Sequence, residues 1–306
     1  MRLLLTGVTG LLGINLAWEA LQAGHEIVGV GRRPLPRAPF RVLSLDLAVQ
    51  GAAEAAFRMA RPDAVVHAAA LADLEACERQ PALAARLNAE LPGEIAALAA
   101  RSGVPLVHIS TDAVFDGQRG DYTEDDAPRP LSMYARTKLA GERAVQRAYP
   151  AAVVLRVNFF GWSLSGRRSL AEWFFDNLRE GRTMRGFTDV FFCPLLANHL
   201  ASLILAVIEQ RLSGLYHALS PRCLSKYAFG VALAEQFGYD PAHIQPASVA
   251  DAGLIARRAH NLTLRSDKLA AALGKPLPSW EDGLAAFHRQ HLEGYPHRLR
   301  AWHQPA

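Results

Sequence analysis

No run of apolar residues in this 306-residue sequence approaches the roughly 20 needed to span a bilayer. The longest, at 64–72 and 200–208, fall far short, so no membrane partner is expected. Cysteine is scarce. Cys77, Cys193 and Cys223 lie far apart with no Cys-x-x-Cys spacing. A set this sparse argues against a disulfide framework and fits a reducing, cytoplasmic setting, with all three expected as packing residues. There is no dense Lys/Arg block, no RNA-binding aromatic signature and no zinc-finger spacing. The net charge of +4 therefore points to an anionic small ligand or plain solubility, and no nucleic-acid partner is expected. His288, His291, His297 and His303 gather late in the sequence, but no carboxylate or cysteine stands at a matching spacing, so no metal is expected. No internal repeat or low-complexity tract is visible.

What is present is a globular composition. With 50% hydrophobic and 20% charged residues, the chain can bury a sizeable core as one large domain or two smaller ones. Its first half alternates short apolar runs with helical stretches. Strands are expected at 2–6, 26–31, 42–45, 64–67, 104–109 and 152–157. Met1-Arg2-Leu3-Leu4-Leu5-Thr6-Gly7 reads better as a buried parallel strand entering a glycine turn than as a signal peptide. Helices are expected at 11–23, 51–60, twice within 75–102, and at 131–149. Pro81 and Pro92 fall at or near helix starts, and Gly24 suits a left-handed cap. Strand–helix alternation with short loops implies βαβ units, hence an α/β fold with a Rossmann-type, doubly wound parallel sheet. Residues 1–158 are expected to form that domain, and 192–218, a helix and a strand, to return to it. Residues 159–191 and 219–290 should make a smaller, mostly helical second domain, followed by a loosely attached tail at 291–306.

Gly7-Val8-Thr9-Gly10-Leu11-Leu12-Gly13 directly follows the first strand and opens the first helix. In that context the first glycine permits a tight turn, the second admits a pyrophosphate, and the third packs helix on strand. The helix N–H groups then face the phosphates. At the end of the second strand, where a carboxylate would hold the ribose of NAD, stand Gly31-Arg32-Arg33. Guanidinium groups pair with phosphate, so NADP(H) is expected over NAD(H). Asp46 and Leu47 are placed to meet the adenine, and Ala68, Ala69 and Ala70 leave room for a cofactor past the fourth strand.

Tyr134 and Lys138 stand four residues apart, on one helix face. A cation beside a phenol, which ordinarily titrates near about 10, should lower its pKa toward a value useful for proton transfer. The pair follows a strand ending in Ser110-Thr111-Asp112, at the sheet edge where doubly wound folds bind ligands.

The stretch from Val107 to Gly117, Val-His-Ile-Ser-Thr-Asp-Ala-Val-Phe-Asp-Gly, resembles the extended short-chain dehydrogenases of the dTDP-4-dehydrorhamnose reductase type. Gly120-Asp121-Tyr122-Thr123-Glu124-Asp125-Asp126, Pro130-Leu131-Ser132-Met133-Tyr134 and Thr137-Lys138-Leu139-Ala140-Gly141-Glu142 continue the likeness. It resumes at 257–269 and at Pro278-Ser279-Trp280. Beyond Val157 the pattern departs: Asn158-Phe159-Phe160-Gly161-Trp162 and Asp189–Leu195 differ, and Arg258 stands where proline is usual. The resemblance implies reduction of a nucleotide-linked 4-keto-sugar. Thr111 would hydrogen-bond the carbonyl, Tyr134 would donate the proton, and Lys138 would tune Tyr134 and hold the ribose. Asp112, Asn158 and Arg257 would contact substrate, with Arg156 either a phosphate contact or a structural ion pair. A homodimer is open to it. An epimerase or dehydratase shares this fold, but such dehydratases carry Glu where this chain has Ala113. A non-catalytic subunit like the beta subunit of methionine adenosyltransferase is a third reading.

Overall fold

The computed structural model describes residues 1–253 and 255–304. The chain runs β1 (Arg2–Thr6), α1 (Leu11–Gln22), β2 (Glu26–Gly31), β3 (Arg41–Ser44), α2 (Ala52–Ala60) and β4 (Ala64–His67). Next come α3 (Leu74–Arg79), α4 (Pro81–Ala85), α5 (Leu91–Ser102), β5 (Leu106–Thr111), α6 (Met133–Ala148) and β6 (Val153–Val157). Where two helices were expected within 75–102 there are three, the last two joined by a π-helical turn at Arg86–Glu90. Pro81 and Pro92 both sit in first turns, where a missing N–H costs little.

After β6 the rhythm breaks into β7 (Phe159–Phe160), α7 (Leu170–Arg179), β8 (Met184–Phe187), β9 (Phe191–Phe192) and β10 (Leu195–Leu196). Then follow α8 (Ala197–Glu209), β11 (Gly214–Ala218), β12 (Leu224–Ser225), α9 (Lys226–Phe237), β13 (Ile244–Ala247) and β14 (Asn261–Leu262). Three helices close the chain: α10 (Asp267–Leu273), α11 (Trp280–Leu292) and α12 (Tyr295–Ala301).

Seven parallel strands form one sheet in the order β11-β6-β5-β4-β1-β2-β3. Alternation along β1 decides what each face covers. Leu3 and Leu5 pack with Ile14, Leu200 and Ile204 of α1 and α8, while Leu4 packs with Phe57 and Ile95 of α2 and α5. The strand order reverses between β1 and β4, and a crevice opens there above the strands' C-terminal ends, where such folds hold ligands. The stretch after β7 contributes helices and small sheets, β12-β9-β14 and β13-β8, beside that crevice.

Two expectations are corrected. Cys193 and Cys223 are joined in a disulfide, leaving Cys77 as a buried free thiol. The cause is register: antiparallel β9 and β12 pair Phe192 with Leu224 and Phe191 with Ser225, which sets Cys193 opposite Cys223 with Cα atoms 4.2 Å apart. Thirty residues of sequence hid that neighbourhood. The second correction concerns the tail. Residues 295–302 pack firmly, with Tyr295, Leu299 and Trp302 in the main core and Trp302 stacked on Trp18. Tyr295 donates to the Asn15 side chain at 2.8 Å. Residues 305–306 of that tail lie outside the described residues.

Candidate active site

The glycine turn holds its backbone closely. Gly7 lies at φ +74°, and a Cβ there would press within 2.9 Å of the Ala68–Ala69 main chain. A Cβ on Gly13 would fall on the Gly7 carbonyl. Helix α1 then starts without a side-chain cap and without an acidic residue in its first turn. By contrast α6, α7, α9 and α11 are each capped by a serine hydroxyl. An uncapped, positively polarised helix start beside a glycine cradle fits the pyrophosphate of a dinucleotide. The groove running from it is lined by Gly7, Thr9, Gly10, Arg32, Asp46 and Leu47 and by Ala68, Ala69 and Ala70. Leu11, Leu12 and Gly13 do not line it, so any contribution of theirs would come from the main-chain N–H groups of the first turn of α1.

A second cavity, of about 610 Å³, brings together Thr111, Asp112, Tyr134, Asn158 and Arg257. Thr111 ends β5 and caps the short turn after it, accepting from the Ala113 N–H at 3.2 Å and donating to Asp112 at 3.1 Å. Asn158, just past β6, donates to the other Asp112 oxygen at 2.6 Å. Asp112 is buried, and burial pushes its carboxyl up to about 6, with Asn158, Thr111 and Lys226 pulling the other way. Arg258, where the family pattern has proline, lines this cavity, as do Lys226 and Arg168, which were not singled out from the sequence. Lys226 opens a helix 114 positions beyond Asp112, and nothing in its local pattern marks it. Arg258 pairs with Glu75 at 3.0 Å.

Lys138 lines neither this cavity nor the groove and is buried, 3% exposed. Its ammonium donates to the Ile109 carbonyl at 2.6 Å. Burial pulls it down to about 8 against the opposing charge of Glu142. The expected lowering of Tyr134 is corrected: burial pushes the phenol up to about 12, with the Thr111 hydroxyl acting against it and Asp112 with it. Desolvation of the phenolate outweighs any cation nearby, and a phenol so held keeps its proton at neutral pH.

Of the two expectations for Arg156, the structure shows the ion pair. Arg156 is buried in a two-pronged ion pair with Glu142 of α6, at 3.0 and 2.8 Å. Ser110 donates to the same carboxylate at 2.5 Å. Arg257 is exposed at the cavity rim. The late histidines scatter: His288 and His291 pack against Phe237, and His303 lines a separate pocket. Among the described residues no group of three His, Cys, Asp or Glu could hold a metal, and no helix is long and apolar enough to cross a membrane.

A seven-stranded parallel Rossmann sheet, a glycine-turn groove and a Tyr-x-x-x-Lys helix define an NAD(P)-dependent oxidoreductase of the extended short-chain dehydrogenase/reductase class. Within it, the chain belongs to the family described as "RmlD substrate binding domain", whose profile matches residues 1–292. It is 32% identical to the dTDP-4-dehydrorhamnose reductase of Mycobacterium tuberculosis, over 93% of this chain and 91% of that one. It is 31% identical to the probable low-salt glycan biosynthesis reductase Agl14 of Haloferax volcanii, over 92% and 95%. It is also 32% identical to the methionine adenosyltransferase 2 subunit beta of Danio rerio, over 88% and 84%. Among solved structures, the dTDP-4-dehydrorhamnose reductase of Bacillus anthracis in complex with NADP superposes with a TM-score of 0.84 at 24% identity, covering 94% of this chain and 99% of that one. MoeE5 in complex with UDP-glucose and NAD gives 0.80 at 22%, covering 96% and 100%. These two likenesses show the shared fold.

Proposed function

We propose that this protein is an NADPH-dependent reductase of a nucleotide-linked 4-keto-sugar. The observation that carries the reading is the convergence of Thr111, Asp112, Tyr134 and Asn158 on one cavity adjoining the dinucleotide groove. When bound, the reduced nicotinamide supplies a hydride for the sugar C4. Thr111 orients the carbonyl oxygen, and Tyr134, held protonated by burial, gives it the proton. Lys138 holds the nicotinamide ribose and supplies positive charge beneath the phenol. Asp112 and Asn158 grip sugar hydroxyls, while Lys226 and Arg257 face the substrate's diphosphate. Arg32 and Arg33, without a carboxylate at the strand end, support NADP(H) over NAD(H). A cytoplasmic location and a homodimer go with this reading as expectations.

The direct test is NADPH oxidation against a panel of nucleoside-diphosphate 4-keto-sugars. Turnover with at least one of them is expected. A protein that binds NADPH yet oxidises it with none would overturn the reading. That outcome would favour a non-catalytic, cofactor-binding subunit, the alternative raised by the match to the Danio rerio protein.

The acidity of Lys138 makes a separate prediction. Its charged form is lost as pH rises through about 8, so kcat/KM should fall on the alkaline side with a break near that value. Glu142→Gln removes the charge that opposes the shift and should move the break to lower pH. A break that stays in place in that variant would mean another group titrates.

A further inference from the structure

A pocket of about 420 Å³ opens beside the adenosine end of the groove, and its lining is one-signed. Arg32, Arg33, Arg168 and His303 face it with Thr9 and no carboxylate. Some arginines elsewhere are paired, Arg86 with Glu94, Arg119 with Asp126, Arg156 with Glu142 and Arg258 with Glu75. Among the described residues, none of the three pocket arginines has a carboxylate within 4.0 Å. Three guanidinium groups around one small space repel one another until an anion enters.

Arg168 and His303 are held there by structure that the proposed chemistry does not use. Glu172, 1% exposed, accepts from the Ser163 N–H at 2.7 Å, the Ser163 hydroxyl at 2.7 Å and the Arg168 N–H at 3.0 Å. Arg300 of α12 donates to the Ser163 carbonyl at 3.3 Å. The backbone of Arg168 is thus pinned while its side chain stays exposed. His303 follows Trp302, whose carbonyl accepts from the Arg37 N–H at 3.3 Å and whose ring stacks on Trp18. That anchors the end of α12 beside the segment that carries Arg32 and Arg33.

We propose that Arg168 and His303 complete, with Arg32 and Arg33, a phosphate pocket that takes the 2′-phosphate of NADP(H). The inference rests on the NADP(H) reading and adds two specificity residues from outside the first βαβ unit. Arg168 also borders the dinucleotide groove and the substrate cavity, where the cofactor pyrophosphate and the substrate's diphosphate are competing sources of phosphate charge. Arg32 and Arg33 stand past the end of β2, where the adenosine ribose comes, and that favours the 2′ position.

Calorimetric titration of NADPH, NADH, adenosine 2′,5′-bisphosphate and AMP against the wild type, Arg168→Ala, Arg168→Lys, His303→Ala and Arg32→Ala tests this. Arg168→Ala should weaken NADPH and the bisphosphate roughly 10- to 100-fold, the scale of one lost charge-assisted bond to phosphate. NADH and AMP should change by less than about threefold, and Arg168→Lys should recover part of the loss. His303→Ala should show the same selectivity with a smaller loss. An unchanged melting temperature would confirm that the exposed Arg168 was removed without harm to the fold. Equal wild-type affinities for NADPH and NADH would overturn the NADP(H) reading itself, and the inference with it. If Arg32→Ala abolishes a real NADPH preference while Arg168→Ala leaves it intact, the inference alone fails. Equal weakening of NADPH and NADH by Arg168→Ala would assign Arg168 to the pyrophosphate and also overturn it.

Discussion

Tyr134→Phe should lower kcat for keto-sugar reduction by roughly two to four orders of magnitude, the usual contribution of a positioned general acid. The substitution deletes one hydroxyl from a partly buried ring that otherwise keeps its packing. NADPH affinity, measured by fluorescence titration, should therefore stay within about twofold. The reasoning turns on where the proton resides. Burial pushes the phenol up to about 12, so Tyr134 is protonated at neutral pH and ready to donate. Donation is what a reduction requires, whereas the reverse oxidation would need the phenolate. A kcat retained within about tenfold would remove Tyr134 from the chemistry and leave Thr111 or Asp112, whose carboxyl is pushed up to about 6, as the source of the proton.

Arg156→Met is expected to destabilise the protein by roughly 3–5 kcal/mol, as removing one partner of a buried pair leaves an uncompensated charge. Glu142 would keep only the Ser110 hydroxyl of its present partners among the described residues. His217 would also lose its 3.4 Å neighbour in the guanidinium, and the Phe115 ring the cation 5.0 Å from its centre. Urea unfolding measures the loss through the midpoint at constant slope. The double variant Arg156→Met/Glu142→Leu should recover most of it, because apolar replacement of a buried pair is often close to neutral. Its alkaline kcat/KM break should nevertheless lie lower than in the wild type, since Glu142 no longer supports the charge on Lys138. A single variant as stable as the wild type would mean that water or a neighbouring group already compensates Glu142.

Much of the cofactor half was legible because its signals are local. The first strand, the Gly7–Gly13 turn and the start of α1 follow one another within a dozen residues, and each glycine meets a backbone constraint that another residue would violate. Short apolar runs bounded by turn residues likewise placed β1 to β6 within two residues of their observed bounds. Thr111 and Tyr134 could be named because both belong to short motifs on adjoining βα elements.

The rest was hidden for identifiable reasons. Arg156 reads as a candidate phosphate ligand until the sheet turns it under α6 against Glu142. Acidity is equally non-local: Lys138 next to Tyr134 in a motif implies a lowered phenol, whereas the desolvation created by distant walls raises it. Trp302 looks like part of a polar tail until Trp18 and Phe40 surround it.

By itself, then, the sequence determined the parallel Rossmann sheet, the glycine cradle and the Thr111/Tyr134/Lys138 set, because hydrophobic periodicity, glycine conformation and motif spacing act over a few residues. Only the tertiary structure decided the Cys193–Cys223 bond, the burial of Arg156, the upward rather than downward shift of Tyr134 and the meeting of Arg168 and His303 with Arg32. Each of those depends on which remote segments fold against one another, and strand register, desolvation and charge proximity are set by that packing.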